Sequence, residues 1–91
     1  MKIRFIPEAE ADFLEAHGWY HEQGQGLAYE FQRSVEACLA AVTEHSDAFP
    51  RIHKNLRRAL VRRFPYGLFY VIAADEIVVI GCLHVARDPK E

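Results

Sequence analysis

The sequence predicts an α+β domain of two layers, in which a helical hairpin packs on a mainly antiparallel four-stranded sheet. Three observations lead to this class. The chain has 91 residues, enough for a single domain over residues 1–91. Two adjacent segments, residues 8–23 and 27–44, repeat apolar residues at helical spacing. Three short apolar segments then follow with tight links, which is typical of antiparallel strands, so the element order is β-α-α-β-β-β.

The first two elements are a short strand and an acidic helix. Residues 2–6 alternate polar and apolar side chains, as a strand with one buried face does. Pro7 ends the strand and suits the first turn of a helix, because proline lacks an N–H that this turn leaves unpaired. The helix extends from Glu8 to about Gln23. Its apolar residues are expected in the core: Ala9, Phe13, Ala16, Trp19 and Tyr20.

A second helix follows a glycine-containing break at residues 23–26 and extends from about Leu27 to Glu44. Its apolar stripe has a spacing of three and four: Leu27, Phe31, Val35, Cys38, Leu39 and Val42. So short a link predicts an antiparallel helical hairpin, whose two apolar stripes cover one face of the sheet.

The other strands follow an irregular segment at residues 45–55. They are predicted at residues 56–63, 67–74 and 77–84, and residues 85–91 form a polar tail that we expect to be loosely held. The last two strands are apolar at nearly every position. Since the hairpin covers only one face, we expect a partner protein or a second copy of the chain to cover the other.

Composition excludes several classes of protein. Hydrophobic residues make up 51% of the chain, which indicates a packed core and not a disordered segment. No apolar run approaches the roughly 18 residues of a spanning helix, and no signal peptide is evident, so we expect a soluble cytoplasmic protein. Cys38 and Cys82 sit in apolar patterns and are expected to be reduced core residues. No cofactor motif is present. His17 and His21 have a spacing of four on the first helix that could hold a metal, but no third ligand is evident, so we expect neither a cofactor nor a metal.

The two halves of the chain differ in charge. Residues 1–50 hold nine acidic and three basic side chains, a net charge of −6, whereas residues 51–91 hold eight basic and four acidic ones, a net charge of +4. A molecule of this kind can hold a basic partner on one side and an acidic partner on the other.

The most basic segment is the predicted strand at residues 56–63, with Arg57, Arg58, Arg62 and Arg63. Charged residues are sparse in strands that bury a face, so this segment indicates a surface for an anion or an acidic partner. The alternative is an edge strand whose solvated arginines prevent aggregation. Alternation places Arg58 and Arg62 on one face and Arg57 and Arg63 on the other.

A metal-free nuclease is a second hypothesis for these residues. Such an enzyme needs a base for the 2′-hydroxyl, cations on the phosphate and an acid for the leaving oxygen. The candidate catalytic residues are Arg58, Arg62, His84 and Arg87, with Tyr66 and Tyr70 nearby in the sequence. The alternative for His84, at the end of a mostly apolar strand, is a core or interface histidine.

The pattern as a whole resembles the RelE/ParE superfamily of toxins from bacterial type II toxin–antitoxin modules, also called plasmid stabilisation proteins. The resemblance extends over nearly the whole chain. It rests on Trp19-Tyr20 in the acidic helix, Gly26-Leu27 and Phe31 at the second helix, Phe49-Pro50, the segment from Arg57 to Tyr66, Phe69-Tyr70, and Leu83-His84 with Arg87 and Pro89.

The resemblance implies a cognate antitoxin that wraps the toxin, forming a hetero-oligomer, and a target in one of two classes. RelE-like members cleave messenger RNA on the ribosome, whereas ParE-like members poison DNA gyrase. The ending at residues 83–88 is more similar to the ParE-like type, and no tyrosine follows Tyr70. We therefore expect gyrase poisoning, with ribosome-dependent cleavage of messenger RNA as the alternative. A third hypothesis is a relative that only binds its antitoxin.

The expected contacts with the target or the antitoxin come from the basic strand and its neighbours. They are Arg57, Arg58, Arg62, Arg63, Tyr66, Tyr70, His84 and Arg87. Substituting Arg58 and Arg62 together is expected to abolish toxicity and leave the fold intact.

Overall fold

The computed structural model describes residues 1–87 as two layers, a pair of helices on one face of a five-stranded sheet. The elements are β1 (Lys2–Phe5), α1 (Pro7–Gln23), α2 (Leu27–Glu44), β2 (Arg51–His53), β3 (Leu56–Leu60), β4 (Tyr66–Ala73), β5 (Glu76–His84) and a 3₁₀ helix at Val85–Arg87. The α+β class and the helical hairpin are confirmed. Neither helix is long and apolar enough to cross a membrane. The part of the predicted tail that follows Arg87, residues 88–91, lies outside the described residues.

The strand order is β1-β5-β4-β3-β2. β1 lies parallel to β5, with Ile3 opposite Ile77, and the other neighbouring strands are antiparallel. The chain therefore starts in the sheet as β1, crosses one face as the hairpin, and returns as a meander of four strands.

The sheet has five strands and not the predicted four, because Arg51–His53 pairs with β3. Arg51 lies opposite Arg57 and His53 opposite Leu56, with an irregular register between the two pairs. Three residues are too few to show a period of two, so this segment resembles an irregular loop in the sequence.

β3 ends at Leu60, three residues before its predicted end, and Arg62 and Arg63 lie in a turn. The Val61 N–H donates to the Tyr66 carbonyl at 2.9 Å, which closes the hairpin between β3 and β4 at this point. Arg63 has a φ of 71°, in the left-handed region, which a strand does not allow.

The core lies between the hairpin and the sheet, and aromatic rings fill its end near this turn. The centroid of the buried Phe31 ring lies 5.1 Å from that of Tyr20 and 5.3 Å from those of Phe64 and Tyr66. Such ring pairs contribute about 0.5–1.5 kcal/mol beyond their buried area. Cys38 and Cys82 are both buried in this core, as the sequence predicted.

Trp19 is not a core residue, and the prediction for it was wrong. Its neighbour Tyr20 is 8% exposed, whereas Trp19 is 54% exposed. The buried positions of α1 are Ala9, Ala16 and Tyr20, which lie along one helix face. One residue of an α-helix turns by about 100°, so Trp19 lies at the edge of that face.

The sheet face away from the helices, here called the open face, carries Phe69 of β4 and Val78 of β5. Both are buried, at 1% and 7% exposure. The Arg58 side chain covers part of this face at Gly67. A Cβ atom added to Gly67 would lie 3.2 Å from Arg58 Cγ and 3.5 Å from the Phe69 ring. The second apolar face is therefore present and partly closed by the chain itself. A partner or second copy on it stays a prediction.

Candidate functional site

The four arginines of the basic segment lie in three different places. Arg57 is on the helix side, where its Nη1 donates to the carbonyls of Asp47, at 3.1 Å, and Phe49, at 2.6 Å. Tyr70, beside it in the sheet, donates its hydroxyl to the Ser46 carbonyl at 2.6 Å. Both residues therefore hold the loop at residues 45–50 against the sheet. Burial of Tyr70 raises the pKa of its hydroxyl, with the Arg57 charge opposing the shift.

Arg58 lies on the open face, opposite Phe69 in β4. Its stem packs over Gly67, its Nε atom is buried, and the side chain as a whole is half-buried. Substituting Arg58 therefore removes packing as well as charge. Replacing Arg58 is therefore expected to disturb the fold, contrary to the sequence-based expectation. Arg62 is exposed and is the better residue for a test of function.

Arg62 and Arg63 lie in the β3–β4 turn, beside a groove between α2 and β3. The groove, here called the arginine groove, has a volume of about 770 Å³. Arg63 Nη2 forms an ion pair with Glu30 Oε1 at 3.1 Å. On α2, the guanidinium carbon of Arg33 lies 5.7 Å from the centroid of the Tyr29 ring, and Arg33 Nη1 donates to the Tyr29 hydroxyl at 2.9 Å. The groove thus joins three cations to exposed apolar surface, including Leu60, which is 56% exposed.

Arg33 was not among the sequence candidates, although it is the only lysine or arginine between Arg4 and Arg51. A helical pattern alone does not show that its side of α2 faces the β3–β4 turn. The sequence did contain one signal for the pairing of Arg33 with Tyr29. The two residues are four apart, and residues i and i+4 are neighbours on a helix.

One edge of the arginine groove is formed by the end of β3. β2 accompanies β3 only as far as Arg58, whose N–H donates to the Pro50 carbonyl at 3.2 Å. Within residues 1–87, no strand lies beside Leu60 on the side away from β4. An extended peptide can add to such an edge through its backbone.

His84 lies on the helix side, opposite Tyr66 in the sheet, with ring centroids 5.4 Å apart. Its Nδ1 accepts the Ala86 N–H at 3.1 Å. Tyr66 belongs to the aromatic end of the core. His84 therefore points to the face opposite that of Arg58, while Arg62 projects from the turn. The side chain of Arg87 lies outside what the structure describes. The described candidates for nuclease chemistry are not brought together.

Comparisons with known proteins place this geometry in a family. Residues 3–89 match the model described as the ParE toxin of the type II toxin–antitoxin system, parDE. No curated protein matches the chain. A solved structure titled "Chromosomal ParDE TA system from P. aeruginosa" has a similar fold, with a TM-score of 0.73 and 15% sequence identity over 92% of this chain and 95% of that chain. Since the family model spans nearly all of its residues, the chain belongs to the ParE toxins of type II toxin–antitoxin systems.

Proposed function

We propose that this toxin inhibits bacterial growth by binding DNA gyrase in the cytoplasm, without breaking a bond itself, and that a cognate antitoxin neutralises it. One observation carries this proposal beyond family membership. Arg58 and His84, two of the four candidates for phosphodiester cleavage, lie on opposite faces of the sheet. A general base and a phosphate-binding cation must reach the same phosphodiester, and a sheet between them prevents this.

The arginine groove is the surface that we propose for the antitoxin, and its occupant would be an extended acidic segment. Arg33 and Arg62 form no ion pair with any carboxylate in the part of the chain that the structure describes. The groove offers these two cations, the exposed Leu60 side chain and the free edge of β3. Acidic side chains would pair with the arginines, and the backbone of the segment would pair with β3.

A double substitution tests this surface. Replacing Arg33 and Arg62 with alanine should weaken antitoxin binding at least about tenfold, because two charge-assisted contacts are removed from the interface. Isothermal titration of the purified toxin with its antitoxin measures the change. The matched control is Lys2→Ala with Arg51→Ala, which removes the same charge from exposed positions outside the groove. If both double variants weakened antitoxin binding equally, the effect would come from net charge and not from the arginine groove.

The gyrase target is tested in cells that express the toxin without its antitoxin. Plasmid DNA from these cells should lose negative supercoiling as growth stops, because gyrase is the target in this proposal. Messenger ends should meanwhile show no new cleavage within translated frames. New cleavage sites with unchanged plasmid supercoiling would instead support ribosome-dependent cleavage of messenger RNA. Normal growth with folded toxin present would support the third hypothesis, a relative that only binds its antitoxin.

A further inference from the structure

A second pocket lies on the other side of the hairpin, between α1 and the end of β5 where it meets β4. Its volume is about 310 Å³. Aromatic rings form much of its lining, and two carboxylates, Asp12 and Glu15, stand beside them. The aromatic residues are Trp19, Tyr20, Tyr66 and His84. We call this site the tryptophan pocket.

Trp19 is held at this pocket with more than half of its surface in water. Its ring packs edge-on against Tyr20, with centroids 5.1 Å apart and planes at 84°. Trp19 is 54% exposed, although burying so large a side chain would be favourable. An exposed indole beside carboxylates presents an electron-rich face, which is suited to a cation.

The carboxylates stand on the same helix as Trp19, at i−7 and i−4, and so on neighbouring turns. Asp12 is held in place, because its Oδ2 accepts the Cys82 N–H at 3.2 Å. Glu15 is exposed and forms no ion pair with any described residue. Neither lysine nor arginine occurs in α1, which carries five acidic residues. Among the described residues, the charged side chains that line the pocket are therefore the two carboxylates, and no described lysine or arginine lines it.

His84 contributes an aromatic wall to the pocket. Its ring is held in place, because Nδ1 accepts a hydrogen bond from the Ala86 N–H at 3.1 Å and the ring packs against Tyr66 with centroids 5.4 Å apart.

We propose that the tryptophan pocket binds a basic side chain of a protein partner. The flat cation of arginine fits best, because it can stack on the Trp19 ring while its N–H groups reach Glu15 and Asp12. This site is separate from the arginine groove and does not depend on gyrase being the target. The toxin would then carry two docking points of opposite charge on the two sides of its hairpin.

Trp19 is the only tryptophan of the chain, so its fluorescence reports directly on this pocket. The purified toxin is titrated with acetyl-Gly-Arg-Gly-amide and with the same peptide carrying citrulline, a neutral analogue of arginine. The arginine peptide should change the fluorescence saturably. Citrulline in place of arginine, or Glu15→Gln in the toxin, should weaken binding about fivefold.

The control variant is Glu8→Gln, which removes the same charge from α1 at an exposed position that does not line the pocket. It should bind the arginine peptide like the unmodified toxin. Absence of a saturable change, equal binding of the citrulline peptide, or equal weakening by Glu8→Gln would each overturn the proposal. None of these results bears on plasmid supercoiling, so failure here is distinguishable from failure of the gyrase proposal.

Discussion

At the residue scale, equal charges in one segment have different roles. Arg57 and Arg58 are adjacent in the sequence, yet one binds loop carbonyls on the helix side and the other covers Gly67 on the open face. Arg62 lies exposed in a turn. Among the four arginines of this segment, only Arg62 combines exposure with a position beside the arginine groove and no ion pair to any described carboxylate.

Arg57 should therefore matter for stability. Replacing it with alanine leaves the Asp47 and Phe49 carbonyls without this donor and should lower the free energy of unfolding by about 2 kcal/mol. Urea denaturation measures the loss. Arg51→Ala, at an exposed position of β2, should change stability by less than about 0.5 kcal/mol. Equal stability of the two variants would show that the loop does not depend on Arg57.

The two cysteines should make the fold sensitive to alkali. Burial raises the pKa of Cys38 to about 11 and, with the Asp12 charge adding to the effect, that of Cys82 to about 12. A raised pKa favours the neutral thiol in the folded state, so this stability is complete below the ordinary value of 9.0 and is lost as pH rises through the folded values.

Urea denaturation at pH 7 and pH 10 tests this sensitivity. Each thiol should account for about 1 kcal/mol of the stability lost at pH 10. In the double variant Cys38→Ala, Cys82→Ala, the loss between the two pH values should be smaller by about 2 kcal/mol. An unchanged loss in that variant would assign the alkaline effect to other groups, such as Tyr20 and Tyr70, whose pKa values burial also raises.

At the element scale, the link between the helices depends on one backbone angle. Gly26 precedes α2 with a φ of 86°, and its carbonyl accepts the Glu30 N–H at 3.0 Å. A Cβ at this position would meet nothing within 4 Å, so only the left-handed backbone disfavours a side chain.

Gly26→Ala should therefore lower the free energy of unfolding by about 1 kcal/mol. Gly18 offers the opposite control, because it lies inside α1, is exposed, and also has nothing within 4 Å of an added Cβ. Gly18→Ala should raise stability by about 0.5–1 kcal/mol. Thermal or urea denaturation of both variants measures the difference, and changes of the same sign would contradict this view of the link.

The sequence predicts long periodic elements well and short or strained ones poorly. The apolar stripe is clear in α2 and weaker in α1, and the bounds of both helices agree with prediction to within a residue. β2 has only three residues, and the end of β3 depends on the left-handed Arg63, which residue type does not reveal. Alternation correctly separated Arg57 from Arg58 but did not assign their faces. Trp19 was misplaced because it lies beside the buried stripe.

At the scale of the whole molecule, the charge asymmetry of the sequence becomes two sites on opposite sides of the hairpin. The arginine groove lies between α2 and β3, and the tryptophan pocket lies between α1 and β5. The net charges of the two halves of the sequence predict that one surface is acidic and one basic, but they do not predict where each lies. Arg33 shows why, because it comes from the acidic half and yet lines the basic groove.

This ParE toxin is proposed to act by binding DNA gyrase. The most direct test adds purified toxin to purified DNA gyrase and relaxed plasmid, with supercoiling as the measured quantity. Supercoiling should fall as toxin is added, and the effect should saturate once the toxin equals or moderately exceeds gyrase. Antitoxin mixed with the toxin beforehand should prevent it. Unchanged supercoiling at a large excess of folded toxin would contradict the claim.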